Sequence, residues 1–452
     1  MQLSTTVLSA LAFSIATIDA FPIPLQSEQL SYKPYTQEAL DQFNVLRFLS
    51  TSSPYIQNPG YGISKDTPFQ CKVTQANLLS RHGERIPSED KLEKITKHLA
   101  DIKNSSEEIK GPLNFLKYYD FEGLDLSKAD DETAKGPYSG LLDLYTHGAL
   151  FREVYDDIFN EKEGVKFFSS NGSRIVASAK SFAQGFLGED YNESYIIQIE
   201  EDNEKLGANS LTPINYCKNY DWENGEDKID SVSDDYLKDI AERLNTESPG
   251  LNISKKAVKS LMDYCGIDLI VTGSSEICDI FKSDEFLAYS YSNDVKVYFE
   301  QGPGNNLSSS VGAVYVNGLI KSLKDKNANL TLSFTHSSSM FPIISALGLY
   351  DGEIPTDYQD FDHPWKVSNI MPMGARLVFE RLECDGEDEP FVRIIHNDAV
   401  LPLKGHSTGP GFSTPLSDFE DYYNDRFEGK DYVKDCGLDE GTPDELTFFW
   451  DN

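Results

Sequence analysis

A run of seven residues, Arg-His-Gly-Glu-Arg-Ile-Pro at positions 81–87, combines a nucleophile with two cations. A neutral imidazole on His82 can attack phosphorus, and the guanidinium groups of Arg81 and Arg85 can bind the oxygens of a phosphoryl group. Arginine suits this task because its planar fork holds two oxygens at once. A histidine among arginines can also be a hydrogen-bonded surface residue, so His82 alone does not decide the chemistry.

Three short apolar stretches are each followed by a polar cluster and then by a helical pattern. We predict strands over residues 73–79, 165–169 and 330–334, and a helix starting near Ser88. The polar clusters contain Arg81 and His82, then Arg174, then His336. Ligands bind at the carboxyl ends of the strands in open α/β sheets, so these side chains are expected to share one pocket. The prediction is an α/β domain with a central, mainly parallel sheet flanked by helices.

The helical spacing of apolar residues between these strands indicates a second, smaller region. We predict an α/β catalytic domain from residues 67–100, 165–190 and 290–452, and a smaller, mostly helical domain from 101–164 and 191–289. Residues 21–66 have turn signals and little periodicity, which indicates an N-terminal segment that wraps around the domains. Residues 1–20 are typical of a signal peptide, although they lack Lys and Arg, so a buried or frayed N-terminal segment is the alternative.

The net charge and the cysteines indicate the compartment of the protein and the partners that it is not expected to bind. Its 452 residues carry a formal charge of -34, which opposes binding to nucleic acid and to anionic membranes. No later apolar run is long enough to span a bilayer, so membrane insertion is not expected. Six cysteines without CxxC spacing favour disulfides over a zinc site. We therefore predict a secreted protein, located outside the cell, in the periplasmic space or in the cell wall.

Sequons of the form Asn-X-Ser/Thr agree with secretion. We predict glycosylation at five of them and leave out a sixth, Asn171, because it adjoins a predicted site loop. The five are Asn104, Asn192, Asn252, Asn306 and Asn329.

The pattern Arg-His-Gly-x-Arg-x-Pro, which residues 81–87 match, is the signature of the histidine acid phosphatases and phytases. The sequence resembles the secreted yeast branch of this family over nearly the whole chain after residue 20. Further matching stretches are Tyr-Gly-Ile-Ser at 61–64, Gly-Pro-Gly at 302–304, Met-Gly-Ala-Arg at 373–376, Ser-Thr-Gly-Pro-Gly-Phe at 407–412 and residues 446–451.

The resemblance implies a role for each matching residue. It implies that His82 is the nucleophile that forms a phosphohistidine, and that Arg81, Arg85 and Arg174 hold the phosphate oxygens. His336, at the position of the family's His-Asp pair, would be a further phosphate ligand. The family fold is a large α/β domain with a smaller helical domain. Its disulfide pattern implies the pairs Cys71–Cys384, Cys217–Cys436 and Cys265–Cys278.

The sequence departs from the family at the residue after His336. The family has an aspartate there that protonates the departing oxygen, whereas this chain has Ser337, whose hydroxyl is too weak an acid. Three outcomes are compatible with this change. The enzyme could act only on esters with good leaving groups, another carboxylate such as Glu84 or one in a neighbouring loop could replace the aspartate, or the protein could bind phosphate esters without useful turnover.

The main expectation is an acid phosphatase that hydrolyses phosphate monoesters with weakened activity. One rival is a phosphoglycerate mutase-like protein, which also has Arg-His-Gly-Glu but lacks the Arg-x-Pro that follows here. The other is a secreted pseudophosphatase that binds phosphorylated ligands, which Ser337 favours. Neither a cofactor nor a metal is expected, nor a nucleic-acid partner, while a homo-oligomer is left open.

Overall fold

The computed structural model describes residues 43–105, 107–161 and 164–450, except for the side chains of residues 233 and 234. All the elements below belong to the unit that begins at Val45. The predicted signal peptide and residues 21–42 of the predicted wrapping segment lie outside the described residues.

In the part of the chain that the structure describes, eight strands form one mixed sheet in the order β3-β2-β4-β1-β5-β6-β7, and β8 pairs with β6. The pairs among β3, β2, β4 and β1 are parallel, while those of β5 to β8 are antiparallel. The strands are β1 (Cys71–Arg81), β2 (Phe167–Ser170), β3 (Ile196–Ile199), β4 (Leu330–Thr335), β5 (Arg376–Cys384), β6 (Phe391–His396), β7 (Ala399–Val400) and β8 (Thr414–Pro415).

Eleven α-helices are present in the described part of the chain. They are α1 (Glu89–Lys103), α2 (Gly140–Tyr155), α3 (Ser173–Leu187), α4 (Glu226–Glu247), α5 (Lys255–Thr272), α6 (Ser283–Glu300), α7 (Ser308–Asp325), α8 (Ser337–Leu347), α9 (Val367–Ile370), α10 (Leu416–Arg426) and α11 (Tyr432–Asp435). None of the helices in these residues is both long enough and apolar enough to cross a lipid bilayer.

Alternate residues of the central strands pack into two different apolar cores. Leu79 of β1 and Phe168 of β2 join the core that contains α7 and α8. Their neighbours Leu78 and Phe167 join the core that contains α2 and α3. Successive side chains of a strand point to opposite faces, so the sheet is buried on both sides between helices.

A third apolar core is built almost wholly from helices. It collects buried side chains from α1, α4, α5 and α6, and it contains the disulfide Cys265–Cys278. The helices α2 and α3 instead pack on the sheet, where Gly148 of α2 lies against the backbone of Phe182 of α3. The division into two domains at the predicted boundaries stays a prediction.

The fold is the α/β architecture that the sequence predicts, and the three predicted strand-to-helix units are confirmed with boundaries shifted by a few residues. One strand was missed: β3 lies at the edge of the sheet, within a stretch assigned to the helical region. The structure contains the disulfides Cys71–Cys384, Cys217–Cys436 and Cys265–Cys278, the same pairs that the resemblance implies. The first of them joins residues that face each other across β1 and β5.

Candidate active site

The nucleophile candidate His82 lies at the carboxyl end of β1, in the middle of the sheet. Its side chain is 2% exposed, and its Nδ1 lies 2.8 Å from the carbonyl oxygen of Gly83. A carbonyl only accepts hydrogen bonds, so Nδ1 carries the proton and Nε2 keeps its lone pair. Burial and the charges of Arg81 and Arg85 hold the pKa of His82 well below its ordinary value. This shift favours the neutral ring, whose Nε2 can act as a nucleophile.

Three guanidinium groups surround this ring. Arg81 ends β1, Arg85 follows in the loop, and Arg174 lies in the first turn of α3. Burial and mutual repulsion lower the pKa of Arg81 to about 9 and that of Arg85 to about 10. The Nε atoms of all three are buried, and none has a hydrogen-bond partner in the described part of the chain. Unpaired buried donors of one charge favour binding of an anion with several oxygens.

The carboxylate of Asp130 bridges two of these arginines. Its Oδ1 lies 3.1 Å from Nη1 of Arg85 and 3.1 Å from Nη1 of Arg174. Asp130 adopts a left-handed backbone conformation with φ of 64°, which aspartate tolerates better than most residues. Its side chain is 39% exposed. The carboxylate of Asp130 therefore lies at the rim of the group that the three arginine side chains form.

The third strand-to-helix unit brings His336 to the nucleophile. His336 follows β4, which is parallel to β1 with Thr335 opposite Arg81. The rings of His336 and His82 lie edge to face with centroids 6.3 Å apart. Nδ1 of His336 lies 3.1 Å from Nη2 of Arg174. Ser337, at the position of the missing aspartate, is the first residue of α8 and is partly buried.

A glutamate that the sequence analysis missed contacts His336. Oε1 of Glu201 lies 2.6 Å from Nε2 of His336 and accepts a hydrogen bond from the backbone N–H of Gly172 at 3.1 Å. Burial alone would raise the pKa of Glu201, but the hydrogen bond and the charge of His336 outweigh it and lower the pKa to about 2. Glu201 follows β3, so recognising that strand would have placed it at the same edge of the sheet as the other site residues.

A second layer of polar groups holds the loop behind the nucleophile. The backbone N–H of Gly83 donates to Oε1 of Glu132 at 2.7 Å and to Oγ of Ser178 at 3.0 Å. Ser178 lies one turn beyond Arg174 on α3 and also donates to Glu132. Burial raises the pKa of Glu132 to about 7. This layer fixes the backbone beside His82, and no motif in the sequence indicated it.

Glu84, considered from sequence as a substitute acid, faces the N-terminal segment. It is 1% exposed, and its Oε1 accepts a hydrogen bond from the backbone N–H of Tyr55 at 2.7 Å. Burial and the nearby charge of Asp143 raise the pKa of Glu84 to about 8. Its observed contact joins the segment around Tyr55 to the nucleophile loop.

The structure brings together His82, Arg81, Arg85, Arg174 and His336, which are far apart in the sequence. The residues that it describes contain no cluster of three or more His, Cys, Asp or Glu that could hold a metal ion. The five predicted glycosylation sites are exposed, as is Asn171. The Nδ2 of Asn329, where a glycan would be attached, donates to the carbonyl oxygen of Ile158 at 3.0 Å.

A mixed sheet with a histidine and three arginines at its central strand ends is typical of enzymes that bind phosphate groups. Residues 72–397 match the model of the histidine phosphatase superfamily, branch 2, and the chain belongs to this family.

Relatives match the chain over nearly its full length. The phytase PHO112 of Candida albicans is 40% identical and covers 92% of this chain and 92% of its own. The acid phosphatase PHO1 of Komagataella pastoris is 37% identical, with 97% of each chain covered. The constitutive acid phosphatase of Saccharomyces cerevisiae is 34% identical, with 96% of this chain and 95% of its own covered.

A solved structure agrees with the fold in detail. The crystal structure of the phytase from D. castellii superposes with a TM-score of 0.88 at 37% identity, and covers 94% of this chain and 93% of its own. The multiple inositol polyphosphate phosphatase of Bifidobacterium longum has a TM-score of 0.63 at 15% identity, covering 83% of this chain and 97% of its own, which shows the shared fold alone.

Proposed function

We propose that this protein is an acid phosphatase that hydrolyses phosphate monoesters through a phosphohistidine on His82. The observation that carries the proposal is the state of His82: a buried ring that is neutral, has a free Nε2 and is surrounded by guanidinium groups. Such a ring attacks phosphorus while the cations neutralise the charge on the phosphoryl oxygens. The relatives described above, two acid phosphatases and a phytase, agree with this reaction.

Each site residue has a role in the proposed cycle. Nε2 of His82 forms a bond to phosphorus as the bond to the ester oxygen breaks, and water then releases inorganic phosphate. Arg81, Arg85 and Arg174 bind the phosphoryl oxygens through their guanidinium groups. His336 is a further phosphate ligand, and its ring lies close enough to His82 for one phosphoryl group to contact both.

Ser337 sets the substrate preference. A serine hydroxyl does not protonate a departing alkoxide, whereas an aryl oxide departs without help. We expect efficient hydrolysis of aryl phosphates and slower hydrolysis of alkyl phosphates. The same residue favours a second candidate function, a pseudophosphatase that binds phosphorylated ligands without turnover, but the intact nucleophile and its three arginines favour catalysis.

The proposed setting is outside the cytosol. Three disulfides are typical of proteins that fold in an oxidising compartment. Together with the sequons and the N-terminal apolar stretch, they support a secreted glycoprotein, located outside the cell, in the periplasmic space or in the cell wall.

The test is an assay of the purified protein on p-nitrophenyl phosphate and glycerol phosphate at acid pH. We expect hydrolysis of both, faster for the aryl ester, and a labelled histidine when labelled ester is quenched in alkali, where phosphohistidine is stable. His82→Ala should remove both the activity and the label. The control His98→Ala, on α1, should retain them. Hydrolysis without label on His82 would refute the proposed intermediate.

A further inference from the structure

The ring of His336 is held at both nitrogens. Arg174 can only donate, so Nδ1 of His336, 3.1 Å from Nη2, accepts this hydrogen bond. Nε2 then carries the proton and donates it to Oε1 of Glu201 at 2.6 Å. This arrangement fixes the tautomer of His336 and places an ionised carboxylate directly behind it. A carboxylate in that position orients the ring and leaves Nδ1 as the nitrogen that can act on a substrate.

The surroundings of Glu201 keep it against His336. Its Oε1 also accepts from the backbone N–H of Gly172, and its own backbone N–H donates to Oδ1 of Asn171 at 3.0 Å. A Cβ atom at position 172 would lie 3.0 Å from Oε1 of Glu201 and 3.3 Å from the ring of His336. Glycine leaves the room that this contact needs. The pair is thus formed by three segments, after β2, β3 and β4.

The pair faces the nucleophile across a gap of suitable size. Ring centroids of His336 and His82 are 6.3 Å apart, about twice the ~3 Å separation of reacting groups in a productive complex. A phosphoryl group attached to or approaching His82 would therefore lie next to the ring of His336, whose Nε2 is already held by Glu201. The nitrogen that faces Arg174 in this structure is the one available to a substrate.

We propose that His336 and Glu201 form a proton-donating pair that performs, in part, the task that Ser337 cannot. The proposal rests on the phosphohistidine chemistry described above and deepens it. His336 acts on the substrate directly, and Glu201 is a positioning residue that stays ionised throughout. The pair supports the hydrolysis of alkyl esters that would otherwise lack an acid.

The proton transfers balance over the two half-reactions. In the first, Nε2 of His82 bonds to phosphorus, the bond between phosphorus and the ester oxygen breaks, and that oxygen takes the Nδ1 proton of cationic His336. In the second, neutral His336 removes a proton from water through Nδ1 as the water oxygen bonds to phosphorus. The bond between phosphorus and His82 then breaks, and inorganic phosphate leaves with His336 again protonated.

Donation of a proton from Nδ1 requires Arg174 to leave that nitrogen. The charged and titratable groups near the ring are Glu201, Arg174 and His82, with Asp130 joined through Arg174. A second proton turns Nδ1 of His336 into a donor, which ends its hydrogen bond with Arg174 because both groups then donate. Arg174 and Nδ1 are both left to bind the substrate anion. Glu201, with its pKa lowered to about 2, stays ionised while His336 carries the proton.

Glu201→Gln tests the pair because it removes the charge and keeps the shape. We expect kcat/KM for glycerol phosphate to fall about 10²-fold, the lower end of the usual contribution of a general acid. For p-nitrophenyl phosphate the fall should be about 3-fold or less, because its leaving group needs no proton. Glu200→Gln, at the exposed neighbouring glutamate, should change neither substrate.

A rescue and a second variant separate this role from a structural one. Ser337→Asp added to Glu201→Gln should restore the alkyl ester rate at least ~10-fold, because it supplies another acid. Gly172→Ala, which crowds the pair without altering its charges, should lower the alkyl ester rate more than the aryl rate. Equal losses on both esters in both variants, or no rescue, would overturn the proposal and leave Glu201 as a structural residue.

The outcomes also distinguish the pair from the phosphohistidine itself. If the wild type shows no label on His82, the proposed function fails, whatever the variants do. If the label forms in the wild type and Glu201→Gln hydrolyses both esters at wild-type rates, only the proton-donating pair fails. Formation of the label in Glu201→Gln from p-nitrophenyl phosphate shows that the variant is folded.

Discussion

The carboxylate of Asp130 lies against the guanidinium of Arg174, with 3.1 Å between Oδ1 and Nη1. The same oxygen contacts Arg85 at the same distance. Both arginines are expected to bind phosphoryl oxygens, so a substrate has to displace this carboxylate or share the cations with it. Asp130 thus acts as an internal competitor at the rim of the site.

Asp130→Asn is expected to tighten the binding of inorganic phosphate. The amide keeps the shape of the side chain but no longer neutralises the arginines, and a partly exposed ion pair is worth about 0.2–1 kcal/mol. The inhibition constant of phosphate at pH 5 should therefore fall about 1.4- to 5-fold, as measured by competition with p-nitrophenyl phosphate. Asp131→Asn, at an exposed neighbour, is the control. A weaker affinity would show that Asp130 orients the arginines for the substrate.

Ser337→Asp is expected to raise the hydrolysis of alkyl esters. A carboxyl group at the start of α8 can protonate the departing oxygen, so kcat/KM for glycerol phosphate should rise about 10-fold or more, with little change for p-nitrophenyl phosphate. Thr146→Asp, on the exposed face of α2, adds the same group outside the site and should give no such gain. If the two variants behave alike, Ser337 does not occupy the donor position.

Glu84 should make the protein less stable as the pH rises. Its pKa is raised to about 8, so the folded state holds a proton that the unfolded chain releases near pH 4.5. This contribution to stability is complete below about pH 4.5 and is lost as the pH rises to about 8. The isosteric Glu84→Gln avoids the loss. The free energy of unfolding, measured in urea, is expected to fall between pH 5 and pH 8. This fall should be about 2–4 kcal/mol smaller in Glu84→Gln than in the wild type.

The exposed Glu93→Gln controls for the general effect of removing one negative charge. If Glu93→Gln reduces the fall in unfolding free energy between pH 5 and pH 8 as much as Glu84→Gln does, the loss of stability comes from the net charge rather than from the buried carboxyl.

Gly148→Ala should destabilise the protein through the packing of α2 on α3. A Cβ atom at position 148 would lie 2.0 Å from the carbonyl oxygen of Phe182, and backbone cannot move aside as a side chain can. We expect a loss of about 1–3 kcal/mol in the free energy of unfolding. Because α3 carries Arg174, activity should fall as well. Thr146→Ala, on the exposed face of α2, should remain within about 0.5 kcal/mol of the wild type.

The prediction of the site from the sequence relied on local patterns, which are present in the folded protein as well. A strand followed by a polar turn and a helix is encoded within about twenty residues, so the positions of His82, Arg174 and His336 at strand ends followed from periodicity and turn chemistry. The strand β3 was not predicted because it is only four residues long and lies between polar stretches. The residues after it, Glu201 among them, were therefore placed with the helical region.

The sequence by itself determined the α/β class, the signature around His82 and the loss of the family's aspartate at Ser337, because each is written in consecutive residues. Only the tertiary structure decided that Asp130 bridges the arginines, that Glu132 holds the backbone beside the nucleophile, and that Glu201 contacts His336. These partners are separated by 44 to 135 residues. The packing of whole elements decides which loop carboxylate contacts which cation. The spacing of residues in the sequence does not indicate these contacts.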